Sequence, residues 1–268
     1  MRALSSGFDP QVVAAIDERL RQVSSSEGAR LLLAVESGSR AWGFPSPDSD
    51  YDCRFIYVRS LDDYLSLYPK RDVIEFPLDA VLDVNGWDLA KALRLLLKGN
   101  AVVIEWLTSP FIYAGDETFR EEACRLAGNV ARAPLVARHY LHLGERQRRV
   151  YFADARSVPL KKIFYALRPA AALRWLRLHP SRAVAPMHFQ TLVAESDLPE
   201  NVLAIIEELL ARKAETHELG SGALPEPVGR FIDSEFEAAR MVWAETGHAA
   251  SPAAREEADI FFRRWVAG

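Results

Sequence analysis

Gly38-Ser39, followed eleven residues after the serine by Asp50-Tyr51-Asp52, is the feature that most limits what this chain can fold into. An apolar run over 31–35 leads into the Gly-Ser pair, a Pro/Ser/Asp linker follows it, and 53–58 is rich in aromatic and β-branched residues. That order predicts strand, tight turn, short helix, loop and strand. Carboxylates spaced i, i+2 on a strand point to one face with α-carbons roughly 6.5–7 Å apart, so both reach one divalent cation or a close pair of them. Gly38 and Ser39 at the mouth of a short helix offer backbone N–H groups and a hydroxyl to a phosphate. The plainer reading is an acidic turn, since Pro47-Asp48-Ser49-Asp50 is good turn sequence, with Ser39 as no more than a helix cap. Arg40 has two equal readings, a phosphate contact or a partner for a nearby acid.

With 268 residues, 49% of them hydrophobic and 26% charged, the chain can build one large core or two modest ones. No apolar run approaches 18 residues, so no membrane span is expected. The N-terminus lacks a signal-peptide core, and a cytoplasmic location is the default expectation. Cys53 and Cys124 are the only cysteines; a structural disulfide is not expected. The net charge of −4 gives no global nucleic-acid signal. Residues 132–182 are nevertheless locally basic, with Arg146, Arg148, Arg149, Arg156, Lys161, Lys162, Arg168, Arg174 and Arg177. Such a face could hold a triphosphate or a polynucleotide.

Helical periodicity spans 10–24 with Asp9 as cap, and strands are expected at 31–36 and 53–58. A short helix is expected at 61–68 and a further strand at 72–76. In 80–84, Ala80, Leu82 and Val84 alternate toward a core while Asp79, Val81 and Asp83 face away. An amphipathic helix covers 87–97 and stops at Gly99. From Glu117 the pattern is helical, punctuated by Pro134, Pro159, Pro180 and Pro186, with a loop at 217–227. The expected architecture is α+β: a small mixed-sheet domain over 1–114, then an all-helical domain over 115–268.

A phosphate cradle beside paired carboxylates resembles the signature of the DNA polymerase β-like nucleotidyltransferases. The closer resemblance is to the RNA repair pathway DNA polymerase β family. It is carried by GSRAWGF (38–44), SDYDCRFIYVR (49–59), DVNGWDLAKALRLLLKGN (83–100), EWLTSP (105–110) and KKIFYALRPAAALRWL (161–176). A small departure is Asn100-Ala101 where related sequences often carry Asn-Pro. The resemblance implies NMP transfer from an NTP, ATP among the candidates, to a hydroxyl acceptor, with RNA repair or end modification as the setting. It implies two Mg²⁺ ions, with Mn²⁺ able to substitute, held by Asp50, Asp52 and a third carboxylate. Asp83 fits that third role, holding the ion that activates the hydroxyl; Asp79, Glu75 and Asp88 are alternatives, and Asp88 better suits a helix cap. A protein or small-molecule acceptor is chemically equivalent, and a nucleotide- or RNA-binding module without catalysis is the rival class.

On a helix, Lys161, Tyr165 and Arg168 share a face and could clamp the triphosphate and contact the nucleoside. The alternative is a solvated basic face around a core stripe of Ile163, Phe164 and Leu167. Arg132 and His139 loosely fit the Arg-x4–6-His pattern of HEPN ribonucleases, with Pro134 expected to break the helix between them. His142 reads as a helix-surface residue. Trp42 either lines a base pocket or packs in the core.

Overall fold

Asp9 opens the first helix by accepting a bond from the Gln11 N–H, with Pro10 at the first helical position, where a missing N–H costs nothing. This helix, α1 (Pro10–Ser25), leads into β1 (Arg30–Glu36), a short α2 (Gly38–Trp42) and β2 (Tyr51–Val58). Next come α3 (Leu61–Leu65), β3 (Val73–Glu75), β4 (Leu82–Asp88), α4 (Leu89–Leu97), α5 (Ala101–Thr108) and β5 (Ile112–Gly115). The remainder is α6 (Glu117–Val130), α7 (Ala133–Tyr151), β6 (Val158–Pro159), α8 (Leu160–Leu178), α9 (Phe189–Ala194), α10 (Glu200–Glu215), β7 (Ser221–Gly222), α11 (Glu226–Trp243) and α12 (Pro252–Ala267). This computed structural model describes residues 1–79, 81–152, 154–215, 220–244 and 249–268. The expectation for Ala80, and that for a loop at 217–219, fall outside those residues.

The fold is α+β. Five strands form a mixed sheet in the order β3-β4-β2-β1-β5, with β2 and β4 parallel and the other pairings antiparallel. Alternation along β2 sends Tyr51, Cys53, Phe55 and Tyr57 to the face covered by α1, where they pack with Ile16, Leu20 and Val23. Ile56 and Val58 join the core on the opposite face, which α4, α5 and the helices beyond residue 114 cover. That core runs without a break into the packed helices α7, α8 and α11, and α12 returns to pack on α4 and α6.

Several element boundaries differ from the sequence expectation. Trp87 and Asp88 belong to β4, because pairing with Ile56 and Tyr57 continues the ladder; α4 begins at Leu89, capped by Asp88, which accepts from the Ala90 N–H. Pro134 does not break a helix but sits in the first turn of α7, so Arg132 lies just outside that helix and His139 within it. The expected loop at 217–227 contains β7, which pairs with β6, and gives way to α11 at Glu226. Cys53 and Cys124 are free, and among the described residues no helix is long and apolar enough to cross a membrane.

Gly86 shows how closely β2 and β4 approach: a Cβ there would stand 2.2 Å from the Phe55 ring. Gly86→Ala should therefore destabilise the protein by about 1–3 kcal/mol, the usual cost of overpacking a filled core, read as a lower urea midpoint at unchanged m-value.

Candidate active site

The parallel pairing of β2 with β4 sets Asp52 opposite Asp83, Arg54 opposite Asn85 and Ile56 opposite Trp87. Read along the sheet, the face changes from apolar core to an amide–guanidinium rung and then to two facing carboxylates at the strand ends. Asp50 lies just before β2 and is exposed. Asp52 and Asp83 are both half-buried, and both accept from one nitrogen: Arg54 Nη2 is 2.9 Å from Asp52 Oδ1 and 2.6 Å from Asp83 Oδ2. Burial raises the Asp52 pKa; the Arg54 charge opposes this, while Asp83 and Asp50 add to it.

Gly38 (φ +60°) makes the close approach of the Asp52 carboxylate possible. A Cβ at this position would lie 2.1 Å from Asp52 Oδ2, and the left-handed backbone independently disfavours any side chain there. The first N–H groups of α2 have no intrahelical partners, and the Ser37 N–H donates to the Asp52 carbonyl at 2.9 Å, tying the turn to β2. Ser39 donates to Ser49 Oγ (3.0 Å). Arg40 donates to the carbonyls of Ser49 and Asp50 and lies 3.8 Å over the Tyr51 ring.

The basic segment on α8 divides by depth. Lys161 reaches across to Asp48, 2.9 Å away. Tyr165 lies within range of the carboxylate charges: burial raises its pKa first, and Asp52, Tyr151 and Asp50 contribute. Arg168, by contrast, is 2% exposed. It donates to Glu105 Oε1 (2.7 Å) and the Met187 carbonyl, with its guanidinium 4.7 Å over Trp42. The α8 surface that carries Lys161 thus turns into the core before Arg168, which the structure places in packing and not at the open cleft. Trp42 is held in the same network, donating to Glu105 Oε2 and meeting Tyr165 edge-on. Lys162 Nζ lies 4.5 Å from the Tyr165 ring centre and 5.0 Å from that of Tyr151, and no carboxylate pairs with it among the described residues.

Glu36, Arg54, Glu105 and Lys213 join the site although no sequence motif assigns them a role. Glu36 is fully buried, accepting from the Asp52 N–H (3.1 Å) and from the Tyr113 hydroxyl (2.6 Å). Burial pushes its pKa up to about 8. Its signal was a lone acid closing the apolar run 31–35, as Glu105 is a lone acid within AVVIEWLT. Arg54 lay in plain view at i+2 from Asp52, hence on the same strand face. Lys213, in α10, had no local signal; it is buried, donates to the Phe44 carbonyl (2.5 Å), and burial lowers its pKa to about 8. Gln190 donates to the Gly43 carbonyl at 2.9 Å and Phe44 stacks on Phe164. The helices thereby grip the loop 43–49 that joins the Gly-Ser turn to the Asp50–Asp52 strand.

The other acidic candidates are occupied elsewhere. Asp79 caps a turn and pairs with Arg19, Glu75 pairs with Arg71, and Asp88 caps α4. Much of the basic run is also paired internally: Arg148 with Asp233, and Arg174 and Arg177 with Glu235. Arg132 donates to the Ala249 carbonyl, His139 is partly buried and His142 is exposed. A cavity of about 1110 Å³ lies beside the 43–49 loop, lined by Phe8, Arg40, Phe44, Asp48, Tyr51 and Gln190; neither Asp52 nor Asp83 lines it.

For a divalent cation, the relevant observation is that the Asp52 and Asp83 carboxylates already converge on a cationic nitrogen. Their oxygen donors suit Mg²⁺, which takes few carboxylates alongside phosphate oxygens and water. Among the described residues no group of three or more His, Cys, Asp and Glu side chains forms a ready metal cluster. The pair therefore fits one side of a metal site, with further oxygens left to a ligand.

Residues 12–264 match the model of a family described as the RNA repair pathway DNA polymerase beta family. The protein YcgL of Bacillus subtilis (strain 168), described as uncharacterized, is 40% identical over 222 residues, covering 83% of this chain and 84% of its own. A nucleotidyltransferase-like protein from Exiguobacterium sibiricum, known from a crystal structure, aligns with 86% of this chain and 77% of its own at 11% identity and a TM-score of 0.34.

Glu36 yields a pH signature. Its folded pKa of about 8 lies above its ordinary 4.5. Between those values the native state holds a proton that the unfolded chain has released, so stability falls as pH rises through that window. Glu36→Gln keeps an acceptor for the Asp52 N–H and removes the titration. In metal-free buffer, urea midpoints at about pH 5 and about pH 8 should converge in the variant relative to wild type.

Proposed function

This chain belongs to the RNA repair pathway DNA polymerase beta family, and from that premise we propose that it is a nucleotidyltransferase moving NMP from an NTP to a hydroxyl, with an RNA end as acceptor. The observation that carries the reading is the Asp52–Asp83 pair, set by strand register against the Gly38 turn. The acceptor rests on the family's description alone. A cytoplasmic setting goes with an RNA acceptor.

In the proposed reaction the acceptor oxygen attacks the α-phosphorus and forms a new P–O bond. The bond from the α-phosphorus to the α,β-bridging oxygen breaks and pyrophosphate leaves with that electron pair. The hydroxyl proton passes to solvent or a carboxylate. Mg²⁺ or Mn²⁺ held by Asp50, Asp52 and Asp83 would supply charge stabilisation for the attacking and leaving oxygens. The N–H groups at the start of α2 and the Ser39 hydroxyl would receive phosphate oxygens. Tyr165 would border the nucleoside. Of the cations on α8, Lys162 is the one to reach the triphosphate, because Lys161 is paired with Asp48 and Arg168 is buried on Glu105. Arg168 would act through Trp42, fixing the wall behind Tyr165.

A second reading, a nucleotide- or RNA-binding module, is favoured by one observation: no three-carboxylate cluster is ready-made among the described residues.

Incubation with each α-labelled NTP, Mg²⁺ or Mn²⁺ and a tRNA-rich RNA pool separates the two. Label should appear on RNA and fall about 10²-fold or more in an Asp52→Asn/Asp83→Asn variant that remains folded, the scale of losing a principal charge-stabilising group. Label on protein would redirect the acceptor to a protein hydroxyl. Nucleotide binding by a folded wild type without transfer to RNA, protein or small hydroxyl acceptors would support the module. Lys162→Met should raise the KM for NTP about tenfold, the ~1.4 kcal/mol of one charge-assisted contact. Lys161→Met should change it less.

A further inference from the structure

Asp52 and Asp83 are like charges on directly opposed residues of neighbouring strands, a destabilising arrangement unless something neutralises them. Arg54 does so with unusual completeness. Its Nη2 bonds both carboxylates at 2.9 and 2.6 Å, and its Nη1 bonds the carbonyls of Asp83 (2.7 Å) and Cys53 (3.1 Å). Only 15% of the side chain is exposed. A planar guanidinium held at four acceptors does not drift away as a solvated lysine would.

The four carboxylate oxygens are consequently unequal. Asp52 Oδ1 and Asp83 Oδ2 are taken by Arg54, and Asp83 Oδ1 accepts from Asn85 Nδ2 at 3.1 Å. Asp52 Oδ2 has no hydrogen-bond donor among the described residues; it lies against Gly38, on the side of the Gly-Ser turn. A cation approaching from that turn, beside Asp50, meets a free carboxylate oxygen. A cation seeking to bridge Asp52 and Asp83 must first displace a bonded guanidinium.

We propose that Arg54 is the resident cation of the Asp52–Asp83 pair, holding the carboxylates in register and closing the Asp83-side position to a divalent ion in the nucleotide-free protein. This inference rests on the metal-dependent reading above. It makes loading of the site ordered: the turn-side position is open at the outset, and the Asp83 side opens only when an incoming anion offers Arg54 another partner. A triphosphate supplies that chemistry, since phosphate oxygens match the guanidinium fork as well as carboxylates do. Arg54 is here a positioning residue.

The test is direct Mn²⁺ binding by electron paramagnetic resonance titration of free ion, compared without nucleotide and repeated with NTP, on wild type, Arg54→Met, Arg54→Lys, Arg54→Met/Asp83→Asn and Asp52→Asn/Asp83→Asn, each checked for folding by circular dichroism. Arg54→Met should bind Mn²⁺ about tenfold or more tightly than wild type, because a positive charge adjoining both carboxylates is gone. That gain should vanish in Arg54→Met/Asp83→Asn. Arg54→Lys, which keeps the charge but cannot fork across four acceptors, should fall between and serves as the readout if the methionine variant does not fold. Mn²⁺ binding that depends on Asp52 and Asp83 but is unchanged or weaker in folded Arg54 variants would overturn the role of Arg54 while leaving the metal-dependent reading standing. No Mn²⁺ binding by any form above the Asp52→Asn/Asp83→Asn background, with or without NTP, would remove both.

Discussion

Repulsion between two carboxylates fixed opposite each other on parallel strands is the constraint around which this end of the molecule is organised. The register that sets Asp52 against Asp83 is imposed by the apolar rungs behind it, above all Ile56 with Trp87, so the charges cannot slide apart without disturbing the core. What remains is to accommodate them. Arg54 bridges the pair from the same face, and Glu36, directly behind Asp52, is held neutral through most of the physiological range by burial. A third ionised carboxylate there would add to the repulsion; a protonated one instead accepts from the Asp52 N–H and joins Tyr113 in a closed hydrogen-bond network.

The helices beyond the sheet take part in the same task. The 43–49 loop spans the gap between the Gly-Ser turn and the carboxylate strand, and its backbone is held from outside by Lys213 and Gln190, while Phe44 is packed among Phe164 and Phe189. A loop left to its own turn propensity would sample many positions; one with its carbonyls bonded and its aromatic ring buried does not. Deeper in, Glu105 gathers Arg168, Tyr140 and Trp42 into a buried polar cluster. Such a cluster is costly to desolvate and costly to break, and it fixes the ring that Tyr165 leans on. Two of the sequence blocks that resemble the family, 105–110 and 161–176, are thus joined in the core, by the Glu105–Arg168 ion pair.

The strand–turn–helix–loop–strand order around Gly38 and Asp52 was legible because it is written in local signals: an apolar run, a small-residue turn, a Pro-rich linker and period-two alternation. The same alternation correctly put Asp83 on the face away from Leu82 and Val84. The start of α4 is hidden in the sequence because Trp87 and Leu89–Leu97 share a helical period, whereas ladder pairing with β2 extends the strand through Asp88. Arg168 shows the other limit. Its i, i+3 and i+7 relations to Tyr165 and Lys161 put the three on one helical face, yet nothing in that spacing says where the face stops being surface.

By itself, the sequence determined which side chains could carry chemistry and which local elements hold them, since propensity, periodicity and turn chemistry act over a few neighbouring residues. Tertiary structure alone decided which of those groups meet and in what charge state. Glu105 finds Arg168 across 63 residues, and Lys213 finds the Phe44 carbonyl across 169. Whether a carboxyl is ionised, or a guanidinium is a ligand for substrate or a strut in the core, depends on the solvent and charges that folding leaves around it. Those surroundings are assembled from distant parts of the chain and exist only once it has folded.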